Sequence, residues 1–262
     1  MTIAESIILG LIQGLTEFIP ISSSGHLVVA QYFLTGASDH LFLEWINIGT
    51  MVALIVYFWR RIMMIIGDVF IRKKRQLLRN ILLTSLPAGA VGYLAADIIA
   101  GHAFFGSIVV VTVMAAVVGV VMIVLEKLPK ASPTKDGEGL TIPRALAIGV
   151  AQMIALIPGT SRSGATIIAG RLSGLSAKEA AEYSFLASLP IMAGVTLKVS
   201  LHDHAYLLTH LDTLIVGNIA AFVSGLLAVG FLMRYLAKHS LALFGWYRIG
   251  LAVVLTVILL VQ

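Results

Sequence analysis

Apolar residues run along this chain in long blocks, and the polar interruptions between them divide it into elements. Six stretches, about 42–59, 77–97, 107–126, 178–198, 213–235 and 245–262, are long enough to cross roughly 30 Å of hydrocarbon as helices. Two more, about 5–36 and 144–175, are interrupted at Pro20–Gly25 and Pro158–Gly164. Their halves run to 11–14 residues, too short to span alone, so each is expected to form a re-entrant helical hairpin. Ser176 and Glu179 form a capping box that starts the span near 178, and Pro143 suits a first helical turn. The pattern predicts an all-α polytopic fold of six full transmembrane helices plus two re-entrant hairpins, without sheet.

The two interruptions resemble each other. Residues 13–26 read QGLTEFIPISSSGH and residues 152–166 read QMIALIPGTSRSGAT. An offset of 139 superimposes Gln13 on Gln152, Ser22 on Ser161, Ser24 on Ser163 and Gly25 on Gly164, with the prolines one place out of step. Each is a short apolar helix, a break at proline, a Ser/Gly hinge and a second short helix. Charged and hydroxyl groups at such breaks are costly inside a bilayer, which makes the breaks the candidate site.

Composition supports the membrane reading. Of 262 residues, 59% are hydrophobic and 12% charged, and mean hydropathy is +0.99. A soluble domain carries about a quarter charged residues. The absence of cysteine excludes disulfides and thiolate metal sites. The start at Met1–Glu5 lacks the basic region of a cleavable signal, so the first segment is expected to be retained. A formal charge of +5 raises nucleic acid as a partner, but the basic residues sit between apolar spans and are better explained by topology.

Segment 60–79 carries Arg60, Arg61, Arg72, Lys73, Lys74, Arg75 and Arg79. Lys127, Lys130, Lys135 and Arg144 follow, then Arg171 and Lys178, then Arg234, Lys238 and Arg248 around the last turn. Loops 37–41, 99–106 and 199–212 contain no Lys or Arg. That places sixteen of the eighteen basic residues on one side, taken as cytoplasmic, with Lys198 and Arg162 as exceptions. Hairpin 5–36 then enters from the outer face and hairpin 144–175 from the cytoplasm, each followed by three spans. The expectation is a single integral membrane domain, 1–262, built as an inverted-topology repeat. Repeat one covers about 1–128, a polar linker 129–143, and repeat two about 144–262.

The breaks carry the candidate chemistry. Gln13 and Glu17, four apart, share a helix face, and Glu17 lies one turn before Pro20. A carboxylate there needs a polar cavity and a cation or proton donor, unless it is simply a buried Glu bonded to the Ser22–Ser24 backbone. Ser22, Ser23, Ser24 and Gly25 lead into one half-helix; Ser161, Arg162, Ser163 and Gly164 lead into the other. Free backbone N–H groups, hydroxyls and glycine at a helix start make an anion site, and Arg162 adds a planar fork suited to phosphate. The serines alone would also serve as helix caps, but capping leaves a membrane-buried arginine unexplained. His26, within a turn of the serines, is a proton shuttle, nucleophile or metal ligand. Thr166 offers a further hydroxyl to the same anion. His40, His102, His202, His204, His210 and His239 read as solvated loop residues, although His202, His204 and His210 have the types and spacing of a metal site.

These paired motifs resemble the bacterial undecaprenyl-diphosphate phosphatases of the bacitracin-resistance type, and the resemblance extends through Phe58–Arg61, Glu182–Leu186, Pro190 and Tyr247–Arg248. It implies an inner-membrane hydrolase that removes the terminal phosphate of undecaprenyl diphosphate, recycling the lipid carrier for peptidoglycan synthesis and conferring bacitracin resistance. It also implies a divalent cation, Mg²⁺ or Ca²⁺, and a site open to the periplasm. Carried over, the catalytic residues are Glu17, His26, Arg162 and Ser23. Ser22, Ser24, Gly159, Ser161, Ser163 and Thr166 bind substrate, and Glu17 with Gln13 holds the metal. Many relatives have Glu where this chain has Gln13, so the motif supplies one carboxylate and the cation must be completed by phosphate oxygens and water. Ser23 or a water is the expected nucleophile. A homodimer is left open. The alternative reading is a lipid-phosphate transporter or flippase, since broken helices in inverted repeats also build secondary transporters. A purely structural scaffold leaves Arg162 and Glu17 without a purpose.

Overall fold

The computed structural model describes residues 1–34, 39–128, 134 and 136–261. Lys130 and Lys135, and most of the first half of linker 129–143, lie outside the described residues. In chain order the helices are α1 (Ile3–Phe18), α2 (Ser23–Leu34), α3 (His40–Tyr57), α4 (Trp59–Phe70), α5 (Gln76–Leu94), α6 (Ala96–Gly101) and α7 (Ile108–Leu125). They continue with α8 (Ile142–Ile154), α9 (Arg162–Leu172), α10 (Ala177–His202), α11 (His204–Thr209), α12 (Leu211–Leu236) and α13 (Ala242–Val261). A single 3-10 turn covers Ala103–Gly106, and the described residues form no strand.

Among the described residues six helices, α3, α5, α7, α10, α12 and α13, are long and apolar enough to cross a membrane, at the six places the pattern marks. Their outer faces keep apolar side chains exposed, such as Val113 and Val117 on α7 and Val253, Val254 and Val257 on α13. A water-soluble surface does not carry belts of that size. The chain is a multi-pass membrane protein.

Local chemistry sets the ends. Ser176 caps α10 with Glu179 returning the bond, as expected. A second capping box, Thr2 with Glu5, starts α1. It makes α1 16 residues long, beyond the expected 11–14, whereas α2, α8 and α9 run to 12, 13 and 11 residues as expected. Proline then ends the helix: the residue before Pro20 is pushed out of the α region, and Ile19 sits at φ −63°, ψ 129°.

Two further expectations are corrected. Segment 60–79 is not simply a basic loop, because α4 occupies Trp59–Phe70 with Ile65 buried and Trp59, Met63 and Ile66 exposed. Its apolar residues recur at helical spacing, a pattern outweighed by the run of basic residues. Arg248 is also no surface topology marker. It lies within α13 and is fully buried.

The principal contacts come in matched sets. α1 packs along α12 as α8 packs along α5, and α12 meets α3 as α5 meets α10. The pairs α7 with α13 and α3 with α10 join the two halves directly. This packing carries the starts of α2 and α9, and the turn at Gly159, to α7.

Candidate active site at the two helix breaks

Ser22 and Ser161, the residues that the sequence offset superimposes, share an uncommon backbone state, at φ 77° and 73°. Their local bonds match as well. Ser22 Oγ accepts from Gly25 N at 3.3 Å and its carbonyl from His26 N at 3.2 Å. Ser161 Oγ accepts from Gly164 N at 3.1 Å and its carbonyl from Ala165 N at 2.9 Å. The hydroxyls of Ser22 and Ser24 lie 3.3 Å apart, and those of Ser161 and Ser163 3.1 Å apart. Both serines are therefore helix caps, and the capping offsets part of the roughly 1–3 kcal/mol cost of a non-glycine residue at positive φ.

The two tips meet at Val111 of α7. A Cβ on Gly25 would stand 3.0 Å from Val111 Cγ1. One on Gly159, itself at φ +86°, would stand 2.6 Å from the Val111 carbonyl oxygen. No other residue type fits Gly159 without moving backbone.

From the tips, side chains converge. Arg162 Nη2 donates to Glu17 Oε1 at 2.7 Å, joining the second break to the first. Ser23 Oγ donates to Glu17 Oε2 at 2.6 Å, and Gln13 Nε2 reaches the same oxygen at 3.2 Å. Gln13 also donates to Asn47 Oδ1 on α3 at 2.6 Å. Ser163 Oγ donates to the Glu17 carbonyl at 3.3 Å. The side chains of Glu17 and Arg162 keep 11% and 22% of their exposure, so the pair is screened but not sealed. The Thr166 hydroxyl donates to the Arg162 carbonyl at 2.8 Å and bonds the Ser184 hydroxyl. Its contact fixes the start of α9 against α10.

His26 takes its partners from the opposite side. Nδ1 is 2.7 Å from the Ser22 carbonyl oxygen, which only accepts, so Nδ1 carries the hydrogen. In the neutral ring Nε2 then accepts from the Tyr247 hydroxyl at 2.8 Å. Tyr247, about half exposed at the edge of α13, also stacks on the imidazole at 5.8 Å and 13°. Asn47 and Tyr247 join this cluster from outside the paired motifs. Asn47 carries a sequence signal, a side-chain amide inside a span; Tyr247 carries none in its spacing.

Among the described residues no three His, Asp or Glu side chains converge as a metal cage. His202 is exposed and bonds the Lys198 carbonyl, while His210 stacks on Tyr206. Glu17 supplies an anionic oxygen donor at the breaks, with neutral oxygens from Ser23 and Asn47 beside it. This set fits a hard cation that draws its remaining ligands from substrate and water.

Together these observations define a polytopic membrane protein in which the two helix breaks meet and share one cluster of charged and hydroxyl side chains. The chain belongs to the family described as Bacitracin resistance protein BacA, matched over residues 6–254. It is 37% identical over 263 residues to undecaprenyl-diphosphatase 1 of Clostridioides difficile (strain 630), covering 97% of this chain and 95% of that protein. It is 39% identical over 261 residues to the undecaprenyl-diphosphatase of Thermodesulfovibrio yellowstonii, covering 96% and 95%. It is 35% identical over 257 residues to that of Nitrosomonas europaea, covering 97% and 93%.

Proposed function

We propose that this protein hydrolyses undecaprenyl diphosphate to undecaprenyl phosphate and inorganic phosphate, and so regenerates the lipid carrier of peptidoglycan synthesis and confers bacitracin resistance. Beyond the family itself, the observation that carries this reading is the bond between Glu17 and Arg162 across the two breaks. It sets a base and an anion-binding fork side by side, at a depth that a membrane-bound substrate can reach. A flippase is not favoured, because the relatives are named as diphosphatases.

In this mechanism the remaining guanidinium donors of Arg162, with the α9 N-terminus, bind the terminal phosphate. Ser23 already donates its proton toward Glu17, the arrangement of a nucleophile with its base. Glu17 takes a proton from the Ser23 hydroxyl, or from a water in its place, as oxygen attacks the terminal phosphorus. The P–O bond to undecaprenyl phosphate breaks, its electron pair leaving on the undecaprenyl phosphate oxygen, where Arg162 steadies the charge. With water as the nucleophile this step releases inorganic phosphate directly; with Ser23, a water then cleaves the phosphoserine and the serine oxygen takes back the proton held by Glu17 as inorganic phosphate leaves. His26, held as the Nδ1–H tautomer with Nε2 toward Tyr247, moves protons at the edge of the site. Glu17, with Gln13 beside it, would hold a Mg²⁺ or Ca²⁺ ion, which would supply charge neutralisation when bound.

The matched breaks and the Lys/Arg distribution support an inverted-topology repeat in the bacterial inner membrane, with the site open to the periplasm. One chain supplies both breaks.

The test is phosphate release from undecaprenyl diphosphate by the purified protein in detergent. Release that stops with a chelator and returns with Mg²⁺ or Ca²⁺ is expected. Transport of lipid phosphate across vesicles without any release would replace this reading with the flippase.

A further inference from the structure

Arg248 is the largest fully buried side chain, and its partners are four backbone carbonyls instead of a carboxylate. Nη1 donates to Pro20 O at 3.3 Å, in the first break, and Nη2 donates to Gly159 O, in the second. Nε and Nη2 also donate to Ala115 O and Met114 O of α7, at 3.4 and 3.3 Å. Burying a guanidinium without a counterion is costly, and the position is justified only by what it bonds. Two of its acceptors, Pro20 O and Gly159 O, lie at the places where the helices stop and carbonyls lose their helical donors, and the other two belong to α7.

The packing of α13 is built for this reach. A Cβ on Gly245 would stand 2.7 Å from Gly119 O, and one on Gly119 would stand 2.9 Å from Gly245 O. These reciprocal glycines bring α13 against α7 one turn from Arg248. The preceding residue, Tyr247, bonds His26.

We infer that Arg248 is a positioning residue for the hydrolysis: its guanidinium clasps both broken tips against α7 and holds Glu17 and Ser23 of one break in register with Arg162 of the other. This rests on the proposed phosphatase reading for its kinetic consequence, but the clasp itself is a geometric statement. A rigid planar fork is needed, because a lysine ammonium is a compact point charge on a flexible stem and cannot reach carbonyls spread around the edge of the guanidinium plane.

Two arms test it. In the first, purified Arg248→Lys and Arg248→Gln are assayed for phosphate release per folded molecule. The clasp predicts that kcat falls about tenfold or more while KM stays within roughly threefold, since small misplacement costs chemistry before binding. Wild-type kcat in the folded fraction, with only the yield reduced, would mean a purely structural arginine and overturn the inference.

The second arm needs no activity. The chain has no cysteine, so Leu15→Cys on α1 and Ile154→Cys on α8 place two spin labels beside the breaks. With Arg248 present, the distance distribution between them should be a single narrow peak, broadening in Arg248→Lys. A broad distribution with Arg248 in place, or an unchanged narrow one in folded Arg248→Lys, refutes the clasp. If the wild type releases no phosphate, the phosphatase reading fails while the label distances still decide the clasp.

Discussion

Glu17 and Arg162 stand 145 positions apart in the chain and 2.7 Å apart in the fold. Neither is placed by its own neighbours alone. Glu17 is delivered by α1, which ends where Pro20 removes the helical conformation of Ile19. Arg162 is delivered by Ser161, whose positive φ turns the chain into α9 at its first residue. The carboxylate fixes the orientation of the guanidinium fork.

Glu17→Gln removes the base and leaves Arg162 with a neutral neighbour. Because the pair retains partial exposure, the stability loss should be about 1 kcal/mol, within the range of incompletely buried ion pairs. Phosphate release should fall by a factor of roughly 100 or more, as for removal of a general base. Thermal unfolding and steady-state assays on the same preparation separate these effects. A large loss of both would make Glu17 a structural anchor.

Ser161 combines a cap bond with a strained backbone, and two substitutions pull these apart. Ser161→Ala loses the cap and keeps the strain, whereas Ser161→Gly loses the cap and relieves the strain. The glycine variant should therefore be the more stable by about 1 kcal/mol. Thermal denaturation in one detergent reads the order directly, and the reverse order would contradict the account of the turn.

Much of this was legible in the sequence, for a definite reason. Span length is fixed by bilayer thickness, so the six long helices follow from apolar runs alone. The 139-residue offset between Ser22 and Ser161 is visible because both turns need the same cap and hinge residues. Arg248 was misread as a topology marker because a buried arginine bonded to carbonyls has the same local sequence as one that ends a loop. The second capping box, Thr2 with Glu5, lengthens α1 beyond the apolar run that marked it. Tyr247 and Asn47 depend on which helices pack against the breaks, and that is tertiary information.

Tyr247→Phe deletes the hydroxyl on His26 Nε2 and keeps the stacked ring. Phosphate release should drop only about threefold to tenfold, whereas His26→Ala should cost roughly 100-fold, the scale of a lost proton-transfer group. A Tyr247→Phe loss as deep as that of His26→Ala would make the tyrosine hydroxyl itself part of the chemistry.

The central claim is that the two breaks form one site and act on one phosphate together. A double-mutant cycle of Glu17→Gln and Arg162→Gln, read as kcat/KM for phosphate release, tests it most directly. The double variant should be little worse than the weaker single variant, because each substitution already disables the shared site. Losses that multiply independently would mean that Glu17 and Arg162 serve separate functions, and the account would be wrong.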